Sequence, residues 1–174
     1  MARPLLALPL FLTALAMPLA AQADTGHVAV VGGAISVEEQ GQTEWRPHLR
    51  TELAFRVIGP LELGGFAQMQ VLELPAVMPA FGGGLMAGLR PEEGFFGFVP
   101  SAQVEVSRVT LPTAQGRVDA WGIGVGAALA YELEFGLGFE IRGAHNWYFD
   151  LPEAGEVGMD GWTINAGVTY RLPS

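Results

Sequence analysis

The sequence predicts an all-β fold: an eight-stranded antiparallel up-and-down barrel that crosses a membrane with its strands, preceded by a cleavable signal peptide. Three observations predict it. Eight segments alternate apolar and polar or small residues, the period of a two-faced strand. Turn-forming residues separate these segments at short intervals. On the cleaner strands one face is apolar from end to end while the other carries charges of both signs, which would be costly in the core of a soluble barrel.

Composition narrows the function classes. At 174 residues the chain is one domain after its leader, with 50% hydrophobic and only 16% charged residues. The formal charge is -9, and the nine bases are all arginine. Without a basic patch to displace counterions, a nucleic-acid partner is not expected. The absence of cysteine excludes disulfides and thiolate metal sites. No cofactor is expected.

Residues 1–23 read as a signal peptide. Arg3 precedes an apolar run from Pro4 to Met17, and Ala21-Gln22-Ala23 supplies the small-x-small cleavage site, with no acid before Asp24. A transmembrane helix fits less well, because Pro9 and Pro18 interrupt a run shorter than the ~20 residues required. Residues 24–174 then form the barrel domain, with 18 acids against 8 bases once Arg3 is removed.

The strands follow in order. His27 to Glu38 is rich in valine, but its faces are blurred. Trp45 to Ile58 sets Leu49, Thr51, Leu53, Phe55 and Val57 against His48, Arg50, Glu52, Ala54 and Arg56. After the turn at Gly59-Pro60, Leu61 to Leu74 opposes Leu61, Leu63, Gly65, Ala67, Met69 and Val71 to Glu62, Gly64, Phe66, Gln68 and Gln70. Phe81 to Leu89 alternates glycines with Leu85, Ala87 and Leu89, and Arg90 to Gly94 forms a turn. Phe95 to Ser107 places Phe96, Phe98, Pro100, Ala102, Val104 and Val106 opposite Gly97, Ser101, Gln103 and Glu105. A bulge or local bend is expected at Pro100, since proline cannot donate to a ladder. Ala120 to Leu133 alternates most clearly, and Leu137 to Trp147 follows the turn Glu134-Phe135-Gly136. Trp162 to Leu172 is the last strand, expected to close the barrel against the first. Connections after strands one, three, five and seven read as longer than those after two, four and six, the asymmetry of outer loops and inner turns.

Two residue sets follow from this reading. Arg50, Glu52, Arg56, Glu62, Glu105, Glu132, Glu140, Arg142 and Arg171 form a luminal charge network, joined by His48. Trp45, Trp121, Tyr131, Trp147, Trp162 and Tyr170 lie near strand ends as interfacial aromatics. Glycines and alanines on the inner face suit an eight-stranded interior, which side chains fill.

The chain resembles the small eight-stranded outer-membrane barrels, the OmpA transmembrane domain and OmpX class, over essentially the whole mature length. Its end resembles the signal that the barrel-assembly machinery reads on a last strand, with Asn165, Gly167, Tyr170 and Leu172 in the matching places. Leu172 stands where family members usually carry a terminal phenylalanine, and Pro173-Ser174 follow it. The resemblance implies a bacterial outer-membrane location, with outer-membrane lipid, lipopolysaccharide and the assembly machinery as partners.

Catalysis and metal binding find little support. His145 sits in Ala144-His145-Asn146-Trp147, without the His-x-Ser pairing of barrel deacylases, and no nucleophile, base and orienting acid assemble from spacing. His27 is expected at the periplasmic start. Asp150, Glu153, Glu156 and Asp160 match no calcium loop and read as a solvated acidic loop. Gly82-Gly83-Gly84 lacks the lysine and helix of a phosphate cradle. The expected function is a non-enzymatic outer-membrane barrel serving envelope integrity or surface interaction through its loops. A soluble exported ligand-binding barrel of the lipocalin kind is the alternative, and a lipid A-modifying enzyme the third.

Overall fold

The structure, a computed structural model, describes residues 25–39, 42–73, 77–113, 116–149, 157–158 and 161–172. The predicted signal peptide and the acidic residues Asp150, Glu153, Glu156 and Asp160 lie outside the described residues. The long strands are β1 (Gly26–Glu39), β2 (Gln42–Ile58), β3 (Leu61–Glu73), β4 (Val77–Leu89), β5 (Phe98–Thr113), β6 (Gly116–Glu132), β7 (Leu137–Phe149) and β9 (Gly161–Leu172). A two-residue β8 (Val157–Gly158) adds to the far end of β1. Each long strand pairs antiparallel with the next, and β9 returns to β1 over ten rungs, from Gly26↔Leu172 to Ile35↔Thr163. The sheet is closed, so the eight long strands leave no edge within it.

Closure fixes the tilt. One row of rungs leaves Phe139 on β7 and passes through Val168, Val30, Thr51, Ala67, Gly83, Arg108 and Trp121. It meets β7 again at Phe149, ten residues further along. With ~3.3 Å per residue and ~4.8 Å between strands, that stagger tilts the strands by about 40°. Phe139 and Phe149, both outward, then stand about 25 Å apart along the barrel axis, the height of an apolar membrane band.

Several boundaries differ from those the sequence predicts. The stretches read as long connections after the first, third and fifth strands are strand: β1 and β2 pair to Glu39↔Gln42, β3 and β4 to Glu73↔Val77, and β5 and β6 to Thr113↔Gly116. The outer asymmetry is therefore built from hairpins that run past the aromatic girdle. β5 begins at Phe98 instead of Phe95. Phe96 and Gly97 adopt left-handed conformations (φ 53° and 82°), and Phe95 and Phe98 exchange both backbone hydrogen bonds around them. That places Phe95 and Phe96 in a turn. The bulge expected at Pro100 is absent: Pro100 pairs Leu129 in unbroken register, and pairing with β4 has already stopped at Ala102. The missing donor is accommodated where the strand has one neighbour. The register shift falls between Arg56 and Ile58 instead.

The blurred faces of β1 also have an explanation. Ala29, Val31 and Ile35 point inward and are buried, while Val28 and Val30 point outward, so both faces of this strand are apolar. At the β1–β9 seam the backbones approach closely. A Cβ at Gly33 would run into the Ile164 carbonyl, and one at Gly167 into the Val30 carbonyl. Glycine is required at both positions.

Candidate functional site

The candidate site is the barrel interior. Alternation along each strand aims one set of side chains inward, and most members of the predicted charge network meet there. Glu52 lies near the centre of the cluster. Arg142 grips it with both terminal nitrogens, the Arg50 Nε donates to it at 3.1 Å, and the His27 Nε2 lies at 3.2 Å. Arg50 also donates to Glu105 at 2.7 Å, and its guanidinium stacks 3.8 Å above the Phe66 ring. Arg142 reaches Glu140 at 2.7 Å. Bidentate, charge-assisted contacts of this kind are the arrangement in which buried opposite charges can offset their lost hydration.

Two predicted members, Arg56 and Arg171, sit at the rim instead of the centre. Arg56 is half-buried and pairs with exposed Glu92 at 3.8 Å; Arg171 is exposed and reaches Glu132 at 3.6 Å. The reason is position: each is the last inward residue before its strand ends, next to the mouth that holds the termini.

Other functional residues were missed by sequence reasoning. Arg90, which the sequence places in a turn, is buried and pairs with Glu132 at 2.5 Å and Glu140 at 3.5 Å. Parity would have found it, two residues beyond Gly88 on the inner face of β4. His27, at the start of β1, joins the same cluster: its ring nitrogens face Glu52 and Glu62, each at 3.2 Å. Gln103 is buried between the clusters, and with its amide oxygen turned inward it accepts from Arg50 and Arg142 at 3.2 Å each.

The other half of the lumen is mostly neutral and polar. His48 contacts Asn165 at 2.9 Å and Gln68 at 3.4 Å, and Gln68 approaches the Tyr148 hydroxyl at 3.5 Å. Asn165, expected in an assembly signal, is thus also an inward partner of His48. Small residues make room for these groups. A Cβ at Gly124 would lie 2.6 Å from the Asn146 Oδ1 and 2.7 Å from the Glu105 Cγ.

The outer surface has opposite chemistry. Val104, Val106, Ile123, Val125, Leu129, Ile141, Ile164 and Val168 are all exposed. Trp45, Phe81, Trp121, Trp147, Phe149 and Trp162 ring one end of this band, and Phe98, Tyr131, Phe139 and Tyr170 the other. Every predicted interfacial aromatic is exposed on this outward face. His145 is there too, its ring 4.5 Å from Trp147 and 4.9 Å from Trp162. A histidine facing outward between two indoles is not arranged around a nucleophile. Above the girdle, Asp119 accepts from the Thr110 hydroxyl at 2.6 Å and from Arg108, and these contacts hold its carboxyl below the usual range.

Comparison with known proteins bears on the fold. The crystal structure of Neisserial surface protein A is similar with a TM-score of 0.65 and 11% identity, covering 86% of this chain and 97% of that one. The N-terminal β-barrel domain of Pseudomonas aeruginosa OprF follows with a TM-score of 0.62 and 10% identity, over 86% and 98% of the two chains. Ail, the attachment invasion locus protein of Yersinia pestis, has a TM-score of 0.53 at 9% identity, over 85% and 99%. The fold is that of the eight-stranded outer-membrane barrels. At these identities the similarity shows architecture alone. No protein-family profile and no curated protein sequence matches the chain.

Proposed function

We propose that the protein is a non-enzymatic outer-membrane barrel whose lumen is closed by its own side chains, acting in envelope integrity or surface interaction through its projecting hairpins. The observation that carries this is the inversion of polarity: an apolar band of membrane height, ringed by aromatics at both ends, encloses buried Arg–Glu pairs. A soluble lipocalin-like barrel would turn its apolar face inward to a ligand. Here the interior is charged and occupied. The same packing speaks against a general pore, since eight strands leave room only for side chains.

Mechanistically the interior is a set of pre-paired charges. Each buried guanidinium has at least one carboxylate within 3.5 Å, so no mobile ion is needed to neutralise it. Asn165, Gly167, Tyr170 and Leu172 would serve the barrel-assembly machinery, with Tyr170 and Leu172 on the outer face where a partner can read them.

The test is membrane partition and fold together. The mature chain should resist carbonate extraction from outer membranes, and folded protein should migrate differently in gels before and after boiling. A chain that stays monomeric and folded without detergent would overturn the proposal.

A further inference from the structure

We propose that the three turns at the lower end of the barrel form a docking surface for a cationic amphipathic polypeptide segment, with Ile58, Phe96 and Phe135 as its apolar contacts and Glu92, Glu93 and Glu134 as its charged ones. This rests on the outer-membrane reading above, which puts these turns on the periplasmic side, and it names the class of partner they take.

The turn tips are apolar where turns are ordinarily polar. Each connection carries or adjoins a large apolar residue: Ile58 before Gly59-Pro60, Phe95 and Phe96 between β4 and β5, and Phe135 between β6 and β7. Phe96 is 83% exposed, Ile58 72% and Phe135 67%, whereas the girdle aromatics lie between 39% and 58%. The tips therefore project past the wall that shields one side of each girdle ring.

The three also share a level. Counting rungs and residues down from the row that joins Phe139 to Phe149 brings Ile58, Phe96 and Phe135 to about 8 Å below Phe139. A headgroup layer is only ~5–7 Å deep, so the tips reach its aqueous margin. Phenylalanine and isoleucine have no polar group to place among headgroups, as tyrosine and tryptophan do.

Phe96 holds its position against its own backbone. With φ 53° at Phe96 and 82° at Gly97, and both hydrogen bonds formed between Phe95 and Phe98, the turn takes the two-residue form that favours Asn-Gly. A phenylalanine is conformationally disfavoured there. Its ring rests edge-on against Phe95, centroids 4.4 Å apart, and stays exposed. Covering that ring with a partner is what offsets the strain.

Charge selects the partner. Glu92, Glu93 and Glu134 are exposed beside the tips. Among the described residues the arginines of this end are Arg56, Arg90 and Arg171; each lies within 3.8 Å of a carboxylate, and of the three Arg171 alone is exposed. An anionic lipid headgroup would meet like charge here. A segment carrying both basic and apolar side chains complements both parts of the surface.

The chain has no cysteine, so introduced thiols report cleanly on the tips. In phosphatidylcholine nanodiscs, Phe96→Cys and Phe135→Cys should react freely with a water-soluble maleimide; protection of both would place the tips within the leaflet and overturn the proposal. Binding is read by fluorescence anisotropy of a labelled amphipathic Leu/Lys peptide, against empty nanodiscs, a Leu/Glu peptide of the same pattern and oligolysine. Wild type should bind the Leu/Lys peptide more tightly than empty nanodiscs do, and neither control peptide. Phe96→Asn/Phe135→Ser, which keeps a residue suited to the left-handed turn, should bind about tenfold more weakly. Glu92→Gln/Glu93→Gln/Glu134→Gln should bind a few-fold more weakly, a difference that high salt removes. Equal binding by empty nanodiscs or by the Phe96→Asn/Phe135→Ser variant, or equal binding of either control peptide, would overturn the assignment. Heat-dependent gel migration is read on every sample. A normal shift without peptide binding sinks this proposal alone, and absence of the shift in wild type sinks the membrane-barrel reading with it.

Discussion

Replacing Glu52 with glutamine tests the luminal network at its most connected point. The carboxylate receives Arg142 through two nitrogens, Arg50 through Nε and the His27 Nε2, all buried. Breaking a buried pair by removing one partner typically costs ~3–5 kcal/mol, because the other charge stays buried without compensation. Here each arginine keeps a second carboxylate, Glu105 for Arg50 and Glu140 for Arg142, both at 2.7 Å. The loss should therefore fall near the lower end, about 3 kcal/mol. Among the described residues Glu62 has a single close ion-pair partner, His27 at 3.2 Å, so Glu62→Gln should cost only ~1 kcal/mol. Urea unfolding of liposome-folded protein, followed by tryptophan fluorescence and gel migration, would show Glu52→Gln with a midpoint lower by ~1–3 M. Adding Arg142→Met should recover part of the loss, since the cation that lost its bidentate partner is gone and Glu140 keeps Arg90 at 3.5 Å. Equally mild effects of Glu52→Gln and Glu62→Gln would show that the network does not hold the barrel together.

Other consequences concern packing, lipid exposure and closure. Gly124→Val should lower stability by ~1–3 kcal/mol through overpacking against Asn146 and Glu105, while Ala127→Val on the outer face of the same strand changes it little; refolding yield compares the two. Val125→Arg, midway along the apolar band, should cost ~2–4 kcal/mol, against roughly nothing for Thr110→Arg above the girdle, in paired liposome titrations. Gly167→Ala should impair refolding of purified protein, because its Cβ meets the Val30 carbonyl. Tyr170→Ala, on the outer face, should instead refold normally in vitro and accumulate less in cells; normal cellular levels would remove the assembly role from that residue.

Much of the fold was legible because strand alternation is a local property. The inner and outer faces of β2, β3, β6 and β9 lie as period-two reading places them, since one face meets lipid and the other the lumen. β1 resisted because both of its faces are apolar, and its place came only from its pairing with β2 and β9. The hairpin ends between β5 and β6 looked like loops because the polar residues there, Thr110 and Asp119, are strand residues above the membrane band, where lipid no longer selects apolar side chains.

By itself the sequence determined which side chains of β2, β3, β6 and β9 point inward and that charges of both signs would be among them. It also indicated that Tyr170 and Leu172 would face outward. Only the tertiary structure decided who meets whom. Glu52 and Arg142 are separated by 90 residues, and the ten-residue stagger of the closed sheet sets them at matching depth. The same closure brings Arg90 from an apparent turn to Glu132 and Glu140, and leaves Arg56 and Arg171 at the mouth. Parity is fixed within a strand, but depth is set by register around the whole barrel, and no single segment encodes that.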